Sequence, residues 1–313
     1  MAAACPLFYA PSYFVDIDTP QRRHVFPMEK FAVAAAWLVE QGLVGWADLT
    51  DPGMVSEAEL LRVHQSAWLA KVRGLEPMDA PMLRRLGLPL VAGLYDRSRA
   101  EVAGTLAAAR SVLSSGSAGV ACNLAGGTHH AFADRGEGFC VFNDVAVAIR
   151  ALHAEDPLLH VLVLDLDAHH GNGTAALFAG DERVFTTSIH VAANYPLVKP
   201  PSRLDVGLER FADWSAYEPA MRAAVSRSIE TFEPDLCFYI AGVDCHEADQ
   251  FGQMRLHADE LQARDRFVLK SLASAWVPTV VLYGGGYQRD REETGRLHAR
   301  GVGVVLEHAT ARM

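Results

Sequence analysis

Several features that would decide the class of this chain are missing from it. The longest apolar runs, such as Val161–Leu164 and Val277–Tyr283, are strand-length and far short of a membrane span. The five cysteines (Cys5, Cys122, Cys140, Cys237 and Cys245) are odd in number and contain no CxxC pair. That pattern argues against a disulfide framework and against a zinc ribbon. The opening MAAACPLFYAPSYF has no basic segment ahead of a long apolar one, so no signal peptide is expected. The chain reads as soluble and cytoplasmic, with no membrane contact. It also has no basic tract: 28 Lys and Arg stand against 38 Asp and Glu, a net charge of −10. Direct nucleic-acid binding is therefore not expected, whereas basic partners such as lysine-rich tails are not repelled.

No repeat and no Gly/Ser-rich or Pro-rich linker divides the 313 residues, half of which are hydrophobic. This balance suits one globular domain over residues 1–313. Short β-branched runs alternate with Ala-rich stretches throughout. Strands are expected at Leu7–Tyr9, Gly119–Asn123, His160–Asp165, Val184–Ile189, Leu236–Ala241 and Thr279–Tyr283. Helices are expected at Pro27–Gln41, Ser56–Val72, Ser98–Leu113, Val141–His153, Trp214–Phe232 and Ala258–Ala275. Such alternation implies a single-domain, three-layer α/β fold with a mainly parallel central sheet and helices on both faces. Two stretches look irregular: Leu75–Arg97, where Pro77, Pro81 and Pro89 would break a helix, and Asn194–Arg203, with three further prolines.

In open α/β sheets function gathers beyond the carboxyl ends of the strands. Four such junctions are rich in chemistry here: LAGGTHHAF (Gly126 to His130), DLDAHHGNG (Asp165 to Asn172), GVDCHEAD (Asp244, His246, Asp249) and GGGYQ ending at Tyr287. Asp167 and His169, two apart, project to one side of an extended segment. With Asp244 they offer one nitrogen and two carboxylates and leave a position open, the arrangement of catalytic zinc. So oxygen-rich a set also suits Fe(II), Co(II) or Mn(II). The tandem His129 and His130 suggest an acid/base pair, because imidazole titrates near neutrality. Asp165 and Asn172 are the nearby groups able to orient them. Gly284–Gly286 would let backbone pass close to a ligand, and Tyr287 could donate to a developing oxyanion.

As a set, AGGTHHAFADRGEGFCVFND, DLDAHHGNG, AGVD and GGGYQ resemble the histone deacetylase family of metal-dependent amidohydrolases, which has the arginase–deacetylase fold. The match is dense from about Gly116 to Gln288 and looser in the first third, and its wording is most similar to the class IV branch. The resemblance implies that Asp167, His169 and Asp244 hold zinc. It makes His130 the general base, oriented by Asn172, and His129 its electrostatic partner, oriented by Asp165. Tyr287 takes the oxyanion-stabilising role. Gly138 and Phe139 would form the tunnel wall, Tyr195 the facing aromatic, and Gly285 would stand with the substrate-binding residues. A structural potassium ion would take oxygens of Asp165, Asp167, His169, Ser188 and Ile189.

The expected reaction is removal of acetyl or longer acyl groups from lysine side chains of proteins or peptides. Small acylated amines such as acetylpolyamines are the alternative substrate class, and a non-catalytic acyl-lysine scaffold is a remote one. Phe251 bears on that choice, because a polyamine-specific branch of the family carries glutamate at the corresponding place. Thr128 stands where the family often has a larger residue. His246 could face the metal, but Gly171 replaces the carboxylate that a binuclear pair would need, so His246 is expected to be a hydrogen-bonded neighbour. The lysine-poor, Ala- and Arg-rich composition suggests a bacterial source.

Overall fold

The computed structural model describes residues 5–114 and 119–311; Gly116, where the matching stretch begins, lies outside them. Eight strands form one sheet: β1 (Leu7–Phe8), β2 (Leu49–Thr50), β3 (Val120–Asn123), β4 (Val161–Asp165), β5 (Val184–Val191), β6 (Leu204–Leu208), β7 (Leu236–Ile240) and β8 (Thr279–Leu282). Their order is β2-β1-β3-β8-β7-β4-β5-β6, and every neighbouring pair is parallel. The four middle strands β3, β8, β7 and β4 are buried along their whole length, which is why they read as unbroken apolar runs. Edge strand β6 alternates between half-buried and exposed positions, and β2 is two residues long; neither carries an apolar run, and neither was expected from sequence.

The helices are α1 (Lys30–Glu40), α2 (Glu57–Leu60), α3 (Ser66–Val72), α4 (Ala80–Leu86), α5 (Leu94–Ser114), α6 (Asp144–Glu155), α7 (Asn172–Leu177), α8 (Trp214–Phe232), α9 (Ala258–Ser274) and α10 (Arg291–Thr310). Helices α1, α10, α9 and α8 lie side by side in one row, and α5, α6 and α7 form another. Both α5 and α10 rest on β3, so the two rows cover opposite faces of the sheet in the three-layer arginase–deacetylase arrangement.

Three helical expectations needed correction. Ser56–Val72 is two helices, because His64 and Gln65 turn away to bond the 132–133 loop: His64 Nδ1 meets the Phe132 carbonyl, and the Gln65 amide donates to Ala133. Pro81 begins α4 instead of breaking a helix, since Asp79 caps the first turn and a proline there loses no hydrogen bond. Helix α10 escaped notice because Gly295, Gly301 and Gly303 dilute its apolar stripe, although Asp290 caps it and Glu292 and Glu293 suit its N-terminus.

A buried polar network ties the α5–α6 row to the end of β3. Tyr13 donates to Asn123 Oδ1 (2.7 Å), and Asn123 Nδ2 donates to the Glu101 carbonyl and to Thr105 Oγ1 (both 3.0 Å). Glu101, paired with Arg97 at 2.7 and 3.0 Å, accepts the Gly126 amide; Asp144 accepts the amides of Gly127 and Thr128. Two helices thus hold the loop that delivers His129 and His130. Thr128 exchanges hydrogen bonds with Asp144 and is spent on this framework.

Gly104 lets α5 approach that network: a Cβ there would land on the Tyr13 hydroxyl and within 2.5 Å of Asn123 Oδ1. Gly104→Ala gains about 1 kcal/mol of helix propensity. It should lose about 1–3 kcal/mol to overpacking. Urea denaturation should therefore show a lower midpoint for Gly104→Ala, and an unchanged or higher one would mean the network yields freely.

Candidate active site

The four motif-bearing junctions follow β3, β8, β7 and β4, which are adjacent in the sheet and end at one edge. The metal-motif segment is not extended, as its two-residue spacing had suggested. Asp165 Oδ1 accepts the Asp167 amide (3.1 Å) and Asp167 Oδ1 accepts the His169 amide (2.9 Å), so successive side-chain-to-backbone bonds fold it into tight turns. His169 Nδ1 lies 2.8 Å from Asp244 Oδ2 and 3.2 Å from Asp167 Oδ1. The ligand atoms of these three buried residues all lie within 4.8 Å of one another. The other carboxylate oxygens are held from behind: Gly285 N–H donates to Asp167 Oδ2 (2.6 Å) and Ala168 N–H to Asp244 Oδ1 (2.9 Å).

Burial, together with the charge of Asp167, pushes the Asp244 carboxyl up to about 8. Burial acts the same way on Asp167, but the charge of His129 and the hydrogen bonds of His169 and Asp244 hold it well below the usual carboxylate range. Burial would lower His169, yet its bonds to Asp167 and Asp244 raise it well above ordinary imidazole. The trio is thus one tightly interacting cluster of an imidazole and two carboxyl groups. Its N/O donor set, with backbone amides fixing the outward oxygens, fits a divalent metal ion.

Beside the trio, His129 Nδ1 contacts Asp165 Oδ2 and His130 Nδ1 contacts Asn172 Oδ1, each at 2.7 Å, and the two Nε2 atoms face each other at 3.2 Å. Burial opposes charge on His129, but Asp165 and Asp167 overcome it and hold the imidazole at about 9. Burial and the charges of His129 and His169 push His130 well below its ordinary value. The pair therefore carries one positive charge at neutral pH, on His129.

Of these groups His130 and His169 line the floor of a pocket of about 320 Å³ whose walls include Gly138, Phe139, Tyr195, Phe251 and Tyr287. Phe139 adopts a left-handed backbone (φ 67°) that aims its ring into the wall, 5.6 Å from the Tyr287 ring. Tyr195 lies across the floor from it, 5.0 Å from His130. Phe251 meets Tyr287 edge-on at 5.4 Å. Burial and the charges of Asp167 and Asp244 push the Tyr287 hydroxyl well above 10, so it stays protonated. Gly285 backs the carboxylates and lines a smaller inner cavity instead of the pocket wall; a Cβ there would come 2.5 Å from Asp244 Oδ2. Ser188 pairs across from Asp165 in the β4–β5 register, with buried Ile189 next to it. His246 is half-buried, accepts the Ala248 amide and stands apart from the metal-type group.

Three supporting residues were not singled out for these roles in the sequence. Glu137 accepts from Asn172 Nδ2 (2.9 Å) and the Tyr195 hydroxyl (3.2 Å); it lies inside the HHAFADRGEGFC motif, which was the available signal. Asp249 Oδ2 accepts the Tyr287 amide (2.6 Å). Lys30, a lone lysine in the apolar run KFAVAAAW, is buried with Nζ on the Gly284 carbonyl (2.9 Å), and burial lowers it to about 8. A second close group, His170, His190 and Asp205, forms where β5 pairs with β6; Asp205 carried no sequence signal because β6 did not.

Residues 24–299 match the model of the histone deacetylase domain. An uncharacterized protein of Picosynechococcus is 37% identical over 308 residues, which cover 98% of each chain. The acetoin utilization protein AcuC of Bacillus subtilis is 32% identical over 77% of this chain and 66% of its own. The histone deacetylase-like amidohydrolase of Pseudomonas aeruginosa is 31% identical over 79% and 68%, respectively. With these matches over a fold and residue constellation of this kind, the chain belongs to the histone deacetylase family, deacetylases that hydrolyse amide bonds and are generally metal-dependent.

Proposed function

We propose that the protein is a zinc-dependent lysine deacylase, one catalytic domain over residues 1–313, that removes acetyl or longer acyl groups from lysine side chains of proteins or peptides. The observation that carries this reading is the convergence of Asp167, His169 and Asp244 on one point beside an aromatic-walled pocket lined by His130, His169 and Tyr287. In this reading Asp167, His169 and Asp244 hold the metal. When bound, zinc (or Fe(II) or Co(II) in the same ligands) supplies Lewis acidity toward the acyl carbonyl and the attacking water. Oxygens of Asp165, Asp167, His169, Ser188 and Ile189 would hold a structural potassium ion.

The chain's own groups do the rest. Asn172 Oδ1 accepts the His130 Nδ1 proton, which makes Nε2, the nitrogen that faces His129, the basic atom that takes a proton from water and returns it to the leaving amine. His129, protonated beside Asp165, offsets charge next to that transfer. The Tyr287 hydroxyl donates to the developing oxyanion. Gly138, Phe139 and Tyr195 guide the acyl-lysine stem and exclude water. Phe251 in the wall, and the lack of any carboxylate among the residues lining the pocket, favour acyl-lysine over an acetylpolyamine. Five buried, unpaired thiols support a cytoplasmic setting.

Asp167→Ala or His169→Ala should lose bound zinc and turnover together, read by elemental analysis and an acetyl-peptide assay. Tyr287→Phe should keep its metal while kcat falls by about 10²–10³-fold; wild-type kcat would remove the oxyanion role. Because His130 is held low, the acid limb of kcat/KM should lie below pH 6.5. Asn172→Asp places a carboxylate on Nδ1, favours the protonated imidazole and should move that limb to higher pH; an unmoved limb would mean another group titrates. On a lysine peptide bearing acetyl, butyryl, octanoyl or myristoyl, with N8-acetylspermidine alongside, preference within the lysine series supports the reading. Preference for the spermidine would overturn the assignment of Phe251.

A further inference from the structure

Two grooves share lining residues with the pocket, and Arg84, in the last turn of α4, lines all three cavities. Arg85 lines the catalytic pocket and one neighbouring groove; Arg22 lines the other groove, and Arg135 the first. Against these four arginines the three linings contain a single carboxylate, Glu137. It is already engaged by Asn172, Tyr195 and Arg135. Arg135 in turn pairs with Asp134 at 2.9 Å. The side chains of Arg22, Arg84 and Arg85 form no ion pair among the described residues. In a chain of net charge −10, these three guanidinium groups concentrate positive charge along the pocket and its neighbouring groove. Cations in the last turn of α4 complement its dipole, but Arg22 belongs to no helix and lines the groove that Arg84 and Gly87 share with the pocket.

We infer that this rim selects acyl amides that carry a carboxylate beyond the methylene stem of the scissile nitrogen, and discriminates against cationic neighbours. This rests on the deacylase reading above and narrows its substrate class. Two sources supply the same chemistry: Asp or Glu flanking an acyl-lysine in a peptide, or the α-carboxylate of free Nε-acyl-lysine. Guanidinium groups suit either, since their paired N–H donors match a carboxylate edge to edge.

The test uses the zinc-loaded full chain and acetyl-lysine peptides identical except for flanking Glu, Gln or Lys. Free Nε-acetyl-lysine is compared with its methylamide. Wild type should rank Glu over Gln over Lys in kcat/KM, with a spread of about 3- to 10-fold at low ionic strength. That spread should shrink toward unity at about 0.5 M salt, where exposed charges are screened. Arg84→Glu, and more so Arg84→Glu with Arg85→Glu, should compress or invert the order. Arg227→Glu on the exposed face of α8 makes the same change in net charge per substitution and should leave the order as it is. A preference for free acetyl-lysine over its methylamide, rather than for Glu flanks, supports the rim through the other source. Turnover that ignores charge in both series, or a preference for Lys that survives Arg84→Glu, overturns the inference and leaves the deacylase reading standing. No hydrolysis of any acetylated substrate by metal-loaded protein would sink that reading, and the rim's role with it.

Discussion

Three carboxylates, those of Asp165, Asp167 and Asp244, are buried within one crevice at the edge of an otherwise apolar sheet. Like charges in a medium of low polarity repel strongly, and a buried charge without partners is costly. Much of the surrounding architecture answers that constraint. Backbone amides of Asp167, Ala168, His169 and Gly285 each donate to one of these carboxylates, and His129 and His169 bring imidazole protons to them. A metal ion would complete the neutralisation, which is why a cluster so unfavourable for a protein without one makes sense as a metal site.

The amides can reach those oxygens only because four neighbouring parallel strands end together. Helices α5 and α6 then hold the histidine loop from one side through Glu101 and Asp144, while Lys30 and Asp249 hold the Gly284–Tyr287 segment from the other. Glu101, Asp144 and Lys30 are buried, and Asp249 is half-buried. The catalytic geometry is thus anchored by directional bonds instead of packing alone, and buried networks of this kind specify one arrangement.

Charge is layered from the floor outward. The floor is made by His130 and His169 next to the buried carboxylates of Asp165, Asp167 and Asp244, the wall is aromatic and uncharged, and the rim carries arginines, although the molecule as a whole is acidic. The floor suits a metal and the wall an acyl-bearing methylene stem. The rim acts on whatever lies beyond the stem, where solvent screening makes its effect one of preference, not of chemistry.

Much of this was legible in the order of residues alone. Unbroken apolar runs ending in Asp, His or Gly marked the middle strands, because strands buried on both faces admit nothing else. Dense local motifs such as DLDAHHGNG and GGGYQ carried the candidate site and the family. Residues whose roles depend on partners far along the chain carried no such mark. Glu137 matters through Asn172 and Tyr195, Lys30 through Gly284, and Arg22 and Arg84 through a groove formed by residues 17–25 and 83–90. Edge strand β6 and glycine-diluted α10 were silent because pattern reports burial, and both owe their form to neighbours. Sequence by itself determined the chemistry available at each strand end, since that chemistry resides in side chains a few residues apart. Only the tertiary structure decided which charges are paired and which are left facing the substrate, because pairing depends on distances that the chain sets by folding.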